Sequence, residues 1–415
     1  GYTALVAHDG MLFVVADLGN MYCYDTKTGE ELWVHDLGTV GKGSPVWGDG
    51  KMYATEVNGN MWILEPSRAR CKTLSHEKIS ARVGSGMDEI YASPVIAVGR
   101  IVLVTRDRTI CIADESKEVV NGEPVALAPE TAPVDKVDMI QLRPYETVVE
   151  PGSTTEYEMH AFDANGRFLK KLPIKELVAD AGLAGFTTAG GKVTAPTTES
   201  HIAGTVTATV GDKTAVARIR MFNPAKVWKW DFNSLKPPVG VPAGWMRAFA
   251  KLKPFEVDGE KVLKVTGGAE AKGRPSHQIG LGYAGMKNYE IQADVRLTEK
   301  RRQLGSIGLS NNRYNLILIG NSSKLEVLSW APHKRMAKSV RFRSDPDVWY
   351  TMKMKVDVTD GEAKIFGKVW KRDEAEPDAW TIEVVDPNGN ESGSPGLYFY
   401  ALADCYFDNV IVTQN

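Results

Sequence analysis

The sequence predicts an all-β protein made of several domains. Its first 115 residues contain a repeat of about 40 residues, and later segments alternate apolar and polar residues with the period of two that strands show. No segment has the long 3.6-residue period of an amphipathic helix. At 415 residues the chain exceeds one ordinary domain, so we expect a row of separate β-domains.

Paired turn motifs reveal the repeat. Asp9-Gly10 corresponds to Asp49-Gly50, and Gly19-Asn20 corresponds to Gly59-Asn60, in each case 40 residues later. Gly and Asn supply the positive φ that tight hairpins need. A period near 40 is typical of one four-stranded blade of a β-propeller. We therefore expect residues 1–115 to form about three blades of a partial β-propeller.

A motif at the end of the first unit reads DTKTGEELW, from Asp25 to Trp33. It resembles the tryptophan-docking repeat of pyrroloquinoline quinone (PQQ)-type propellers. The resemblance implies that Asp25 closes a turn permitted by Gly29, and that Trp33 packs between neighbouring blades. Because propellers close with four to eight blades, we expect upstream blades or a companion chain to complete this one.

The PQQ-type family includes dehydrogenases and cofactor-free scaffolds. For an enzyme, the resemblance implies calcium with acid and amide ligands, a catalytic Asp and a stacking surface for the quinone. Asp17, Glu56 and Asp107 stand at comparable strand ends, where solvation of a hairpin is the preferred interpretation. We therefore name no catalytic residue and expect no cofactor in this chain, apart from the structural calcium considered below.

A linker at residues 116–136, rich in Pro, Glu and Ala, leads to short alternating strands in residues 137–222. That second stretch resembles bacterial immunoglobulin-like domains through Glu150-Pro151-Gly152, Asp163-Ala164-Asn165-Gly166 and the final strand at 215–220. The resemblance implies an immunoglobulin-like sandwich that serves as a spacer or adhesion module.

Residues 223–415 are richer in Trp, Tyr and Lys, with many strands and Gly or Asn turns. Strands are predicted at 289–297, 305–310, 314–319, 324–328, 349–358, 363–370, 396–400 and 406–412. The segment resembles concanavalin-like, laminin-G-like jelly rolls through Trp230-Asp231-Phe232, Gly367-Lys368-Val369-Trp370 and Tyr406-Phe407-Asp408-Asn409-Val410. The resemblance implies a jelly-roll sandwich related to sugar-binding modules and glycoside-processing enzymes.

Two acids near the ends of this domain, Asp231 and Asp408, are candidate ligands of a structural calcium ion. A jelly roll brings its ends together, and calcium prefers carboxylate and carbonyl oxygens. The alternative is that they are ordinary acids at strand ends, with no metal between them.

Sugar binding needs aromatic faces beside polar groups that fix hydroxyls. We predict a carbohydrate site at Trp330 with Asn312, Arg313 and Tyr314. Further aromatic faces come from Trp349, Tyr350, Trp370 and Trp380. The alternative to sugar contact, for each aromatic residue, is that its side chain packs in the core.

Charge and composition exclude some classes of function. The net charge of −2 argues against nucleic-acid binding, and no apolar run reaches the roughly 18 residues of a membrane helix. Residues 226–415 carry 28 Lys and Arg against 23 Asp and Glu, which indicates a solvated basic face or an acidic glycan partner. None of the four cysteines forms a C-x-x-C pair, and a disulfide stays open as an alternative.

The sequence lacks a P-loop, a G-x-S-x-G elbow and an H-E-x-x-H motif. It favours a non-catalytic modular protein, periplasmic or on the cell surface, that mediates protein or glycan binding. The alternative is an enzyme: a quinoprotein dehydrogenase completed by missing blades, or a glycoside-processing jelly roll. We predict that the sandwich, and not the propeller, presents the ligand surface.

Overall fold

The structure is a computed structural model of the chain. It describes residues 3–16, 19–38, 40–79, 89–106, 108–117, 135–235, 241–248, 252–267, 276–330 and 334–414. These residues form an all-β architecture of several sheets, as predicted. The chain divides into two compact units, one comprising residues 1–128 and 330–335 and the other comprising 129–329 and 336–415.

The first two blades are antiparallel meanders whose four strands follow one another in sequence order. Asp9 and Asp49 adopt φ of 47° and 50°, and a glycine follows each, so both blades open with a two-residue hairpin. Blade 1 comprises β1 (Val6–His8), β2 (Met11–Val15), β3 (Asn20–Asp25) and β4 (Glu31–Asp36). Blade 2 comprises β5 (Val46–Gly48), β6 (Lys51–Thr55), β7 (Asn60–Pro66) and β8 (Cys71–Lys78).

A third sheet of three strands has the same opening hairpin, here at Val98-Gly99. Its strands are β9 (Val95–Ala97), β10 (Arg100–Val104) and β11 (Thr109–Ala113). Cys111 is exposed, because β11 is an edge strand and its alternate residues Ile110 and Ile112 face the apolar cluster. Asp17 and Asp107 lie outside the described residues.

The middle segment has ten strands in three small sheets around its own apolar core. They are β12 (Met139–Arg143), β13 (Glu146–Val149), β14 (Thr154–Glu156), β15 (Glu158–Phe162), β16 (Phe168–Leu172), β17 (Val178–Ala179), β18 (Thr187–Ala189), β19 (Lys192–Thr194), β20 (Ile202–Val210) and β21 (Lys213–Met221). The buried residues of β21 alternate from Ala215 to Met221, so its predicted period of two is confirmed. The immunoglobulin-like assignment stays a prediction.

The last segment is a sandwich of two large antiparallel sheets. Its strands are β22 (Val227–Trp230), β23 (Leu252–Val257), β24 (Glu260–Val265), β25 (Ser276–Gly280), β26 (Tyr289–Leu297), β27 (Glu299–Lys300), β28 (Gln303–Leu304), β29 (Ser306–Asn311), β30 (Tyr314–Ile319), β31 (Lys324–Ser329), β32 (Ala337–Arg341), β33 (Trp349–Thr359), β34 (Glu362–Lys371), β35 (Ile382–Asp386), β36 (Gly396–Tyr400) and β37 (Cys405–Gln414), with a 3-10 turn at Gly320–Ser322. All eight predicted strands are present, with bounds within two residues of the prediction.

One sheet has the order β23-β24-β37-β26-β33-β34-β35, with β22 on β37, and the other has the order β25-β36-β29-β30-β31-β32. The core lies between them and includes Ile291, Leu316 and Phe407, all fully buried. In β34 the alternate residues Phe366, Lys368 and Trp370 therefore point away from this core. Among the residues that the structure describes, no helix is long and apolar enough to cross a membrane.

Candidate functional site

A groove lined by aromatic residues lies where β33 begins and β34 ends. Tyr350 pairs with Lys371 across these strands, and Thr351 pairs with Trp370. The residues from Phe342 to Asp345 form one wall, and residues 371–381 form the other. The volume of this groove, which we call the tryptophan groove, is about 490 Å³.

Four aromatic and four charged side chains line the tryptophan groove: Phe342, Tyr350, Trp370, Trp380, Arg343, Asp345, Lys371 and Glu374. The rings of Phe342 and Tyr350 meet edge to face at 5.8 Å, and the hydroxyl of Tyr350 accepts the Asp345 N–H at 3.0 Å. Arg343 and Asp345 form an exposed ion pair at 3.6 Å. The groove thus combines apolar faces with donors and acceptors at its rim.

The wall that carries Trp380 is held by a buried lysine. Lys368 is 6% exposed, and its Nζ contacts Glu376 Oε1 at 2.6 Å and donates to the Pro377 carbonyl at 2.8 Å. The same ammonium lies 4.7 Å from the centre of the Trp380 ring. Burial opposes ionisation of Glu376, but hydrogen bonds from Lys353 and Lys368 outweigh it and lower the pKa of this carboxyl. The Trp380 ring therefore packs against a buried ammonium group.

The four residues predicted to contact a glycan lie outside the lining of this groove. Asn312 and Tyr314 are buried, and the hydroxyl of Tyr314 donates to Asp386 Oδ2 at 2.7 Å. The chain near Gly393 covers the β29–β30 turn so closely that a Cβ added at Gly393 would lie 2.9 Å from the Asn312 Cα atom. Both side chains are therefore enclosed by the protein, and contact of Asn312 and Tyr314 with a glycan stays a prediction. Arg313 is half-buried and Trp330 is 40% exposed, so contact with a glycan stays a prediction for both.

The predicted calcium ligands have separate partners. Asp231 is exposed and accepts the Asn233 N–H at 3.2 Å. Asp408 is buried and faces Asp294 across β37 and β26. Among the described residues, no group of three or more His, Cys, Asp and Glu side chains forms a metal site. Calcium binding by these two acids stays a prediction.

Asp294 and Asp408, here called the acid pair, are 5% and 3% exposed. Asn409 Nδ2 donates to both carboxylates, at 2.9 and 3.3 Å, and Thr351 donates to Asp294 Oδ1 at 2.6 Å. Burial raises the pKa of Asp408 to about 6, and the nearby charge of Asp294 acts in the same direction. The sequence held no local signal for this pair, since its members are more than 100 residues apart.

The docking motif of the first blade has the predicted local geometry. Asp25 Oδ1 accepts the N–H groups of Lys27 and Thr28 at 2.7 and 2.9 Å, and Gly29 has a φ of 74°. A side-chain hydrogen bond from Arg68 and these two N–H groups hold the pKa of Asp25 well below its usual range. The turn therefore forms as the sequence motif implies.

Trp33 connects the two blades, although it is half-buried and not fully buried as expected. Its Nε1–H donates to the carbonyl oxygen of Ser67 in blade 2 at 2.7 Å, and its ring lies 6.0 Å from Phe13. Arg68 of blade 2 also forms an ion pair with Asp25. We call Asp25, Trp33, Ser67 and Arg68 the blade joint.

Glu56, one of the strand-end acids, is 2% exposed and serves a structural purpose. Its carboxylate accepts hydrogen bonds from Asn58 Nδ2 at 3.1 Å, Asn60 Nδ2 at 3.1 Å and Trp62 Nε1 at 2.7 Å. Buried carboxylates need such compensation. This arrangement agrees with the preferred interpretation of a hairpin contact.

Comparison with known proteins gives one family match. Residues 2–72 match the family described as outer membrane protein assembly factor BamB. The match covers most of the first two blades and leaves the rest of the chain unassigned. A search of curated protein sequences gives no match.

Solved structures with similar folds have low sequence identity. The chain aligns over 99% of its length with 50% of a bifunctional GH43-CE protein from Bacteroides eggerthii, at 12% identity and a TM-score of 0.34, and so spans half of that protein. Arcelin-5, a lectin-like defense protein from Phaseolus vulgaris, aligns over 45% of this chain and 97% of its own, at 8% identity and a TM-score of 0.29. The catalytic domain of the glycoside hydrolase family 131 protein from Coprinopsis cinerea aligns over 40% of this chain and 78% of its own, at 14% identity and a TM-score of 0.27. With TM-scores this low, these likenesses carry no argument about function.

Proposed function

We propose that this chain binds carbohydrate, without catalysis, through the tryptophan groove of its C-terminal sandwich. The observation that carries the proposal is the meeting of four aromatic rings and four charged side chains at one end of two paired strands. Ligand sites are typically concave and aromatic, with a few polar groups that fix orientation. The proposal includes a periplasmic or cell-surface location.

The chemistry of the groove suits a sugar ring. The Trp380 ring packs against Lys368 and lies 5.6 Å from Phe366, so stacking a sugar on it costs little side-chain entropy. Arg343 and Lys371 donate hydrogen bonds, while Asp345 and Glu374 accept them. Both signs of charge are present, which fits hydroxyl recognition better than recognition of one anionic group.

The test is a glycan array followed by calorimetry on the full chain. We expect Trp380→Ala to weaken binding by about tenfold or more, because a buried aromatic contact contributes above 1 kcal/mol. Trp330→Ala is the matched control, since Trp330 lies outside the groove lining. If Trp330→Ala abolishes binding and Trp380→Ala does not, the site is the one predicted from sequence and the groove assignment fails.

Glycoside processing is the second candidate function, favoured by the acid pair. Glycosidases use two carboxyl groups, one of them with a raised pKa, and the acid pair supplies two carboxyl groups on paired strands with the pKa of Asp408 raised. Asp408→Asn would then abolish release of reducing sugar from a bound glycan, and the exposed Asp231→Asn would not. Release that persists in Asp408→Asn excludes the acid pair as its source.

The propeller part is proposed to associate with further blades, upstream in the polypeptide or from a companion chain. Exposed apolar side chains in blades 1 and 3 support this proposal, among them Val34, Val95 and Val104. Exposed apolar surface of this kind marks interaction sites when it is contiguous.

A further inference from the structure

Two of the four cysteines lie beside the blade joint. Cys23 in β3 is fully buried and pairs with Trp33 across β3 and β4. Cys71 is the first residue of β8, partly buried, and pairs with Pro66 across β7 and β8. Both side chains belong to the apolar cluster that blades 1 and 2 share.

The contacts of the blade joint bring these two strands together. Trp33, which pairs with Cys23, donates its indole N–H to the carbonyl oxygen of Ser67. Ser67 directly follows Pro66, which pairs with Cys71. Arg68, the next residue, pairs with Asp25 at the end of β3. Cys23 and Cys71 therefore lie on the two sides of the blade joint, within one apolar cluster.

We propose that Cys23 and Cys71 are a modification site, at which a disulfide donor joins blade 1 covalently to blade 2. Both are free thiols in the structure. The other two cysteines lie elsewhere: Cys111 is exposed in β11, and Cys405 is fully buried in the sandwich. The pairing is therefore specific to the blade joint.

The reaction is a thiol–disulfide exchange with a low-molecular-weight disulfide or a dithiol oxidase as the oxidant. The Cys71 thiolate, which is the more exposed, attacks one donor sulfur, and the first donor thiolate leaves. The Cys23 thiolate then attacks Cys71 Sγ and displaces the second donor thiolate. The two cysteines lose two protons and two electrons, and the donor disulfide is reduced to two thiols.

Burial makes this reaction slow at neutral pH. It raises the pKa of Cys71 to about 12 and raises that of Cys23 as well, although Arg68 opposes the second shift. Below its pKa the thiolate fraction of Cys71 rises about tenfold per pH unit, so the rate of oxidation rises similarly. Once formed, the bond closes a loop that spans two blades and restricts the unfolded chain.

The test incubates the full chain, carrying Cys111→Ser to prevent intermolecular coupling, with oxidised glutathione at pH 7 and pH 8. After free thiols are blocked with N-ethylmaleimide, peptide mapping locates every disulfide. We expect a cross-linked peptide containing Cys23 and Cys71, formed about ten times faster at pH 8. We also expect a rise of roughly 5 °C or more in the Tm of the propeller part, reversed by dithiothreitol.

Cys71→Ser is the matched control, in which Cys23 is expected to remain fully alkylated after unfolding, with no gain in Tm. Circular dichroism verifies that this variant keeps its sheet content. The proposal is overturned if both cysteines of the parent stay reduced. It is equally overturned if Cys71 ends as a stable mixed disulfide with glutathione while Cys23 stays free.

Discussion

His201 and Asp408 are two residues whose burial makes folding depend on pH in opposite directions. The His201 ring lies among Phe222, Trp228 and Trp230, at 6.0, 4.7 and 5.2 Å between ring centres. Burial lowers the pKa of His201 to about 4, and burial raises the pKa of Asp408 to about 6. The structure thus places His201 against the first strand of the sandwich.

The folded state keeps His201 neutral. Its pKa lies below the 6.5 of the unfolded chain, so the unfolded chain binds more protons between pH 4 and 6.5. Because of this side chain, the folded state should therefore lose about 2 kcal/mol of stability as the pH falls through that window. We expect His201→Gln to remove this loss, measured by urea denaturation at pH 7 and pH 4.5. His160→Gln is the control, and an unaltered pH slope in His201→Gln would refute the expectation.

Asp408 acts in the reverse sense. Its folded pKa of about 6 lies above the unfolded 3.8, so the folded chain binds more protons in that window. The stability that protonated Asp408 contributes to the folded state is fully present below pH 3.8. It falls by about 2 kcal/mol as the pH rises to 6. We expect Asp408→Asn to lose less stability than the parent chain when the pH is raised from 4 to 7, as measured by urea denaturation. An identical difference in parent and variant counts against the raised pKa.

The opposed windows of these two residues overlap between pH 4 and 6. Their effects on the pH dependence of folding stability therefore offset each other in the parent chain. Each single variant should reveal how the other residue alone makes stability change with pH. A flat stability profile in this range would thus conceal two titrating groups.

At the scale of elements, the blade joint is the contact whose loss is easiest to measure. Trp33→Ala removes a half-buried ring and the hydrogen bond to Ser67, and should destabilise the propeller part by about 2–3 kcal/mol. Val34→Ala, on the neighbouring and exposed position of β4, should change stability little. Urea denaturation distinguishes the two variants when unfolding is monitored by far-ultraviolet circular dichroism and not by tryptophan fluorescence. Equal midpoints for the two variants would mean that Trp33 does not connect the blades energetically.

Strands were predictable from sequence because each depends on local alternation. In β26, and in β33 from Tyr350 to Val358, apolar residues occupy every second position of the printed sequence. β34 follows this period less closely, because residues 367–370 are all buried. The tryptophan groove was not predictable, because its walls come from segments about 30 residues apart that meet only after β33 and β34 pair. Tyr350, Trp370 and Trp380 were among the candidates, but Phe342 and the charged residues of the groove carried no signal.

The β29–β30 turn shows why the burial of two predicted glycan-site residues, Asn312 and Tyr314, could not be read from the sequence. Asn312-Arg313 reads as an exposed hairpin turn, with positive φ at both residues. Asn312 Nδ2 instead donates to the carbonyl of Asn390 at 3.3 Å, so a distant segment covers the turn. Burial that depends on a contact across about 80 residues has no trace in local sequence.

At the scale of the molecule, the order of propeller blades, middle sheets and sandwich could be read from repeat length and strand pattern. The joining of middle segment and sandwich into one compact unit could not. It depends on contacts such as the Asn223 N–H donating to His201 Nδ1 at 3.4 Å, and the His201 ring 4.7 Å from that of Trp228. These side chains come together only in the folded chain.

The place of β37 in its sheet has a consequence for biosynthesis. β37 is the last strand of the sandwich to leave the ribosome, yet it lies between β24 and β26 and also pairs with β22. Until it emerges, the central strands of the larger sheet have exposed edges and the core face that includes Phe407 is incomplete. Translation proceeds from the N-terminus, so the blades can fold early while the sandwich must wait for β37. During that interval the nascent sandwich would be a substrate for chaperones that shield open sheet edges.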